Sequence, residues 1–237
     1  MKFGVVVFPG TWSDCDFHYV ISEVLRQPVR YVWHRERDLA GLDCVILPGG
    51  FSYGDYLRAG AVAGKSPVVE ALPDFAAAGG HVLGSCNGFQ ILCEAGLLPG
   101  ALMRNECLQY RCQSTHLRVE NAETPFTRGL RVGQVLTMPI SHGEGKYYAD
   151  PPTLAALARN RQVVFRYATA EGQVTRAANP NGSLDNIAGL VNEDGTVLGL
   201  MPHPERAAES VLGSSDGLLI FQSLLGSLVE DGSFLKR

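Results

Sequence analysis

His81-Val82-Leu83-Gly84-Ser85-Cys86-Asn87-Gly88-Phe89-Gln90 is the stretch from which the fold can be read. His81–Gly84 has the pattern of a short buried strand, and from about Asn87 to Glu94 apolar residues return at helical spacing. Between them stands G-x-C-x-G, the thiol form of a strand-to-helix turn that lifts a nucleophile above a sheet edge. Glycines two positions before and after Cys86 leave room where a Cβ would collide with neighbouring backbone. A thiol at a helix N-terminus also feels the positive end of the peptide dipoles, which favours thiolate. The N–H of Asn87, just after the nucleophile, is positioned to donate to a tetrahedral oxyanion.

Working outward, short apolar runs alternate with helical patterns. Upstream, Val5–Phe8, Val29–Trp33 and Cys44–Leu47 read as strands. Phe17, Val20, Ile21, Val24 and Leu25 place a helix over Asp14 to Arg26, and Val69, Leu72, Phe75 and Ala76 place another from Ser66 to a stop at Gly79-Gly80. Downstream, residues 100–200 are richer in turns, with β-type runs at Leu117–Val119, Val135–Met138, Val163–Tyr167 and Val197–Leu200. A last helix, with N-cap candidates Ser214, Ser215 and Asp216, packs Leu219, Phe221, Leu224 and Leu228. The pattern predicts one α/β domain over 1–237: a mostly parallel central sheet flanked by helices, with an antiparallel β extension. Open α/β sheets bind ligands at the carboxyl ends of their strands. Pro48-Gly49-Gly50 should therefore lie beside the Cys86 turn, making the Gly50 N–H the natural second oxyanion donor.

Composition narrows the function classes. Apolar residues make up 46% of the 237 and the net charge is −4, so a core is affordable and a concentrated positive field is absent. That argues against a nucleic-acid or membrane-surface binder. No run of eighteen apolar residues is present, and the opening apolar run stops at Pro9-Gly10 like a first strand rather than a signal peptide, which predicts a cytoplasmic protein. Six cysteines without C-x-x-C or paired zinc spacing predict neither a disulfide frame nor a metal site.

The second motif is Pro202-His203-Pro204-Glu205. A residue before proline is biased toward extended backbone, in which residues two apart share a face. His203 and Glu205 are then matched as base and orienter for Cys86: the imidazole takes the thiol proton and the carboxylate fixes its tautomer.

With both motifs counted, the chain resembles class I glutamine amidotransferases of the triad type. Phe51–Gly60, Cys86–Gln90, His142-Gly143-Glu144-Gly145, Asn179–Ser183 and Gly199–Arg206 are similar to the glutaminase subunits of phosphoribosylformylglycinamidine synthase. The resemblance implies that glutamine is hydrolysed through a γ-glutamyl thioester. It also implies that the ammonia passes to a separate synthetase subunit making formylglycinamidine ribonucleotide in purine biosynthesis. ATP and magnesium would belong to that partner, this chain would hold no cofactor, and a small accessory subunit would complete the complex. By position, the resemblance gives Cys86 as nucleophile, His203 as base, Glu205 as orienter, and Gly50 and Asn87 as the oxyanion hole. It adds Gln90 as a substrate contact, and Ser141, His142 and Gly143 as a stretch whose backbone holds the α-amino and α-carboxylate groups. Ser85 departs from the pattern, which commonly has an apolar residue there; a buried hydroxyl needs a partner.

Other signals point elsewhere. Ala59-Gly60-Ala61-Val62-Ala63-Gly64-Lys65-Ser66 fits a relaxed phosphate-loop pattern, but no buried strand precedes it and Pro67 follows at once. His142 with Glu144 reads as substrate wall or interface rather than a metal pair, for want of a third ligand. Asn181-Gly182-Ser183 fits a glycosylation acceptor only in a secreted chain. A thiol amidase or peptidase working without a partner would use the same triad.

Overall fold

Strands that are apolar on both faces need a layer of helices on each side, and the chain supplies them in alternation. The structure, a computed structural model, describes residues 1–230, with side-chain surroundings as far as residue 226. Strand β1 (Phe3–Val7) leads into helix α1 (Asp14–Tyr19), which continues as a π-helical turn over Val20–Val24. The helix expected over 14–26 thus changes pitch midway and stops before Arg26, whose φ is 54°. There follow β2 (Val29–Trp33), β3 (Cys44–Leu47), α2 (Pro67–Ala77), β4 (His81–Ser85) and α3 (Asn87–Glu94). The second half carries β5 (Ala101–Met103), β6 (Arg111–Val119), β7 (Val135–His142), β8 (Lys146–Tyr148), α4 (Pro151–Arg159) and β9 (Val163–Ala168). Strands β10 (Ile187–Val191) and β11 (Val197–Leu200) and helix α5 (Leu218–Glu230) complete the order.

One nine-stranded sheet runs β2-β1-β3-β4-β11-β10-β9-β6-β7, and β5 pairs with β8 separately. The pairings from β2 through β11 are parallel and those from β11 to β7 antiparallel, which is the predicted parallel sheet with its antiparallel extension. One boundary differs. Val197–Leu200, expected in the antiparallel part, lies parallel to β4 with Leu200 opposite Ser85. An apolar run of four carries no information on strand direction, and this direction brings the chain after Leu200 to the Cys86 edge.

Alternation along the strands sorts the core. Phe3 and Val5 of β1, Ile46 of β3 and Leu83 of β4 face one layer with Phe17, Ile21 and Phe221. Val6, Val45, Leu47 and Val82 face the other with Leu72, Phe89 and Leu92. Each such fully buried side chain contributes roughly 1.5–3 kcal/mol, so the strand ends are anchored from both sides. Leu219 packs at the margin of the first layer, where Leu224 is fully buried; Leu228 lies outside the residues whose side chains are described. Ser214 and Asp216 do not cap α5. The Asp216 carboxylate accepts the Thr137 N–H at 2.7 Å and the Ser214 hydroxyl accepts the Asp216 N–H at 3.1 Å, tying this turn to β7. Helix α4 went unread, although the Asp150 carboxylate accepts the Thr153 N–H at 2.9 Å and prolines open the first turn, both start signals.

Candidate active site

The carboxyl ends of β1, β3, β4 and β11 meet at one edge of the sheet. Cys86 leaves β4 with φ 51° and ψ −105°, a conformation costly for a side chain with a Cβ, and is the N-terminal boundary residue of α3. The flanking glycines make that turn possible, as expected. A Cβ on Gly84 would lie 2.7 Å from the backbone carbon of Gly88, and one on Gly88 would run into the Leu47 carbonyl.

His203 and Glu205 meet as expected but by a different backbone. His203 is extended (φ −105°, ψ 92°), and Pro204–Arg206 form a 3-10 turn that folds the carboxylate back onto the ring. Nδ1 of His203 lies 2.6 Å from Oε1 of Glu205, with both residues buried. Burial alone would depress the imidazolium, yet the fields of Glu205 and the Cys86 sulfur outweigh it and raise its pKa. Nε2 is buried and has no hydrogen-bond partner among the described residues, while the Cys86 thiol donates to the Ser141 carbonyl at 3.6 Å. The Ser85 hydroxyl finds its partner in the Pro202 carbonyl at 3.2 Å, with Oε2 of Glu205 at 3.5 Å.

Asn87 opens α3, so its N–H has no acceptor within the helix. Gly50 sits at φ 152° against the turn after β1, where a Cβ would be 2.7 Å from both the Gly10 oxygen and the Trp12 nitrogen. Its N–H has no acceptor among the described residues. The Asn87 side chain ties the surroundings together. Its Oδ1 accepts the Ser52 N–H at 3.2 Å, and its Nδ2 donates to Gln90 Oε1 at 2.9 Å and to Asp55 Oδ1 at 3.5 Å. Gln90 in turn donates to the Glu144 carbonyl at 2.6 Å, leaving one amide N–H. Burial, and then the field of Glu144, push Asp55 up to about 6.

Of the 141–143 stretch, Ser141 borders the site, its carbonyl 3.6 Å from the Cys86 sulfur. The His142 ring, however, is turned inward: Nδ1 lies 3.2 Å from Asn105 Oδ1, and Nε2 lies 3.5 Å from Asn181 Nδ2. Burial, reinforced by His203, pushes it down to about 3, so the ring is neutral at pH 7. Asn105 also donates to the His142 carbonyl at 2.9 Å, and its own N–H to the Gly143 carbonyl at 2.9 Å. Glu144 does not pair with His142; its carboxylate lies 3.6 Å from Arg104.

Comparison with known proteins identifies the family. A family model described as CobB/CobQ-like glutamine amidotransferase domain matches residues 2–216. The chain is 62% identical over 230 residues to phosphoribosylformylglycinamidine synthase subunit PurQ of Moorella thermoacetica, covering 97% of this chain and 96% of that one. This chain belongs to the PurQ family of glutamine amidotransferases. The PurQ of Salinibacter ruber is 61% identical over 224 residues, 94% of this chain and 95% of that one. In the solved structure of PurLQS from Thermotoga maritima, one chain superposes with a TM-score of 0.84 at 42% identity, covering 96% of this chain and 98% of that one.

Within this PurQ-family site, the residues that sequence reasoning missed are polar and small. Asn105, Asn181 and Ser183 bind one another's neighbours around the 141–145 turn, and Ser13 contacts Gly49. The glycosylation pattern at Asn181 is an inward-facing hub: its amide donates to the Gly145 carbonyl at 2.8 Å and the Tyr167 hydroxyl at 3.2 Å. Among the described residues no group of three or more His, Cys, Asp or Glu is placed to hold a metal ion, and no helix is long and apolar enough to cross a membrane. Residues 51–66 hold short 3-10 turns rather than the buried strand a phosphate loop follows.

Proposed function

We propose that this chain is the glutamine-hydrolysing subunit of a cytoplasmic phosphoribosylformylglycinamidine synthase, folded as one domain. The observation that carries the reading is the buried His203–Glu205 pair, 2.6 Å apart, beside a strained Cys86 at the strand edge. His203 takes the thiol proton as the Cys86 sulfur bonds to the side-chain amide carbon of glutamine. The oxygen, now negative, is held by the N–H groups of Gly50 and Asn87. When the carbon–nitrogen bond breaks, the proton leaves with ammonia, and the γ-glutamyl group stays on sulfur. Water then cleaves the thioester, giving glutamate and the free thiol. Gln90 and the 141–143 wall hold the rest of the substrate, the wall through its backbone.

The ammonia goes to a separate synthetase subunit, which carries the ATP and magnesium and makes formylglycinamidine ribonucleotide; a small accessory subunit completes the assembly. The test is glutamate release by the purified chain with and without its synthetase, alongside Cys86→Ala. Low activity alone, a strong rise with the synthetase and none in the variant is the expected result. Wild-type activity in Cys86→Ala removes the nucleophile, and full activity without a partner makes the chain a free-standing amidase.

A further inference from the structure

We propose that Ser13, in the turn after β1, is a positioning residue that locks the oxyanion peptide in its working orientation. The inference rests on the assignment of Gly50 as an oxyanion donor. That N–H belongs to the peptide joining Gly49 and Gly50, and in a trans peptide the C=O and N–H point in opposite directions. The Gly49 carbonyl accepts from three donors, the N–H of Trp12 at 3.0 Å, the N–H of Ser13 at 3.1 Å and, more weakly, the Ser13 hydroxyl at 3.5 Å. The Gly50 N–H is thereby turned away from the 10–13 turn and left without a protein acceptor.

Ser13 grips the same residue from its other side. Its hydroxyl accepts the Gly49 N–H at 2.9 Å, and the side chain is fully buried. Gly49 is therefore held at both its amide and its carbonyl by one serine and its neighbour. On the other flank Gly49 abuts the triad: a Cβ there would lie 2.6 Å from Cε1 of His203 and 3.4 Å from Cβ of Cys86. The clamp reaches the His203 turn as well. The Arg206 guanidinium stacks 4.4 Å from the centre of the Trp12 ring and bonds Asp16 at 3.1 Å. Glu205 and the Gly49 peptide thus share one brace built from residues 12–16.

Without the hydroxyl the Gly49 N–H, in the preceding peptide, loses its acceptor and the Gly49 carbonyl loses the weakest of its three donors. The Gly49–Gly50 peptide is then held only by the Trp12 and Ser13 N–H groups and gains freedom, which lowers the rate of steps that build charge on the substrate oxygen. Binding of glutamine, whose side-chain amide carries no charge before attack, and direct alkylation of the thiol do not need that donor. The experiment uses the chain with its synthetase and compares Ser13→Ala, Ser13→Cys and Ser13→Thr for glutamate release and for Cys86 alkylation by iodoacetamide. Losing an oxyanion donor outright costs about 10²–10³ in kcat, so misaligning it should cost roughly 10–100-fold in Ser13→Ala. KM and the alkylation rate should stay within about threefold of wild type. The poorer sulfur acceptor of Ser13→Cys should give an intermediate loss, and Ser13→Thr, which keeps the hydroxyl, should recover most of the rate. A kcat within about threefold of wild type in Ser13→Ala overturns the proposal. So does a parallel fall in kcat and alkylation, which would mark a structural role. Failure of the triad assignment would show instead as activity in Cys86→Ala.

Discussion

Gly49→Ala presses a methyl first against His203 of the triad and more lightly, at 3.2 Å, against the Ser13 hydroxyl. Gly49 does not occupy the left-handed region, so alanine meets no backbone penalty and only the new methyl matters. That methyl would stand 2.6 Å from Cε1 of His203, against the 3.4 Å at which ordinary contact begins, so about 0.8 Å must be found. The ring has little room to yield. Its Nδ1 is held 2.6 Å from Glu205, and the His203 N–H is bonded to the Pro139 carbonyl at 2.9 Å. A misplacement near 1 Å costs on the order of 10²-fold in rate. The expected loss in kcat is therefore roughly 30–100-fold, or about 2–3 kcal/mol of barrier, with an overpacking cost of about 1–3 kcal/mol in stability. Glutamate release at saturating glutamine, with the synthetase present, measures the first, and urea unfolding the second. Gly226→Ala in α5 serves as control: nothing among the described residues lies within 4 Å of its added methyl, so kcat should stay near wild type while stability rises by about 0.5–1 kcal/mol as a helix-interior glycine becomes alanine. A Gly49→Ala enzyme with kcat within about threefold of wild type would refute the packing argument.

Other outcomes follow from the same geometry. Glu205→Gln should keep KM but lower kcat by roughly 10²–10⁴, because the amide can hold the wrong tautomer of His203; an unchanged kcat would remove Glu205 as the orienter. His142, at about 3 when folded and 6.5 when free, binds its proton only on unfolding, so its contribution to stability is full above about pH 6.5 and declines as pH falls toward 3. Between pH 7 and 5 that amounts to about 2 kcal/mol, seen as a steeper loss in urea midpoint for the wild type than for His142→Gln; parallel pH curves would exclude it. We propose that segments 51–65 and 104–116, the second running into strand β6 at Arg111, dock the synthetase; they expose Tyr56, Leu57 and Leu108. Arg58 is largely solvent-facing while its partner Glu94 is mostly covered, so Arg58→Ala should cost on the order of 1 kcal/mol of stability while weakening complex formation on a sizing column; unchanged complex formation by Arg58→Ala and by Arg111→Ala would remove both segments.

Which parts of this site were legible in the sequence follows from how far each constraint reaches along the chain. The Cys86 turn could be read because its glycines are close in sequence, two residues to either side; a Cβ on Gly84 collides with the Gly88 backbone within the turn, although one on Gly88 meets the Leu47 carbonyl of β3. His203 and Glu205 were found for the same reason, although the chain closes them with a 3-10 turn where an extended segment was expected. Two residues apart, they can meet through either backbone, so the side-chain pairing survived an error in the path. Strand direction is a property of the whole sheet, which is why the sequence does not show that Val197–Leu200, antiparallel to β10, also lies parallel to β4. Ser13 meets Gly49 across 36 positions and Asn105 meets Gly145 across 40. A lone serine or asparagine in a loop looks like any solvated turn residue until the fold brings its partner to it. The nucleophile and its base are thus written in local steric rules, while the groups that hold the oxyanion peptide and the substrate wall in place are written only in the topology. Substitutions at Ser13 and Asn105 should accordingly be ones that alter catalysis while leaving every recognisable motif intact.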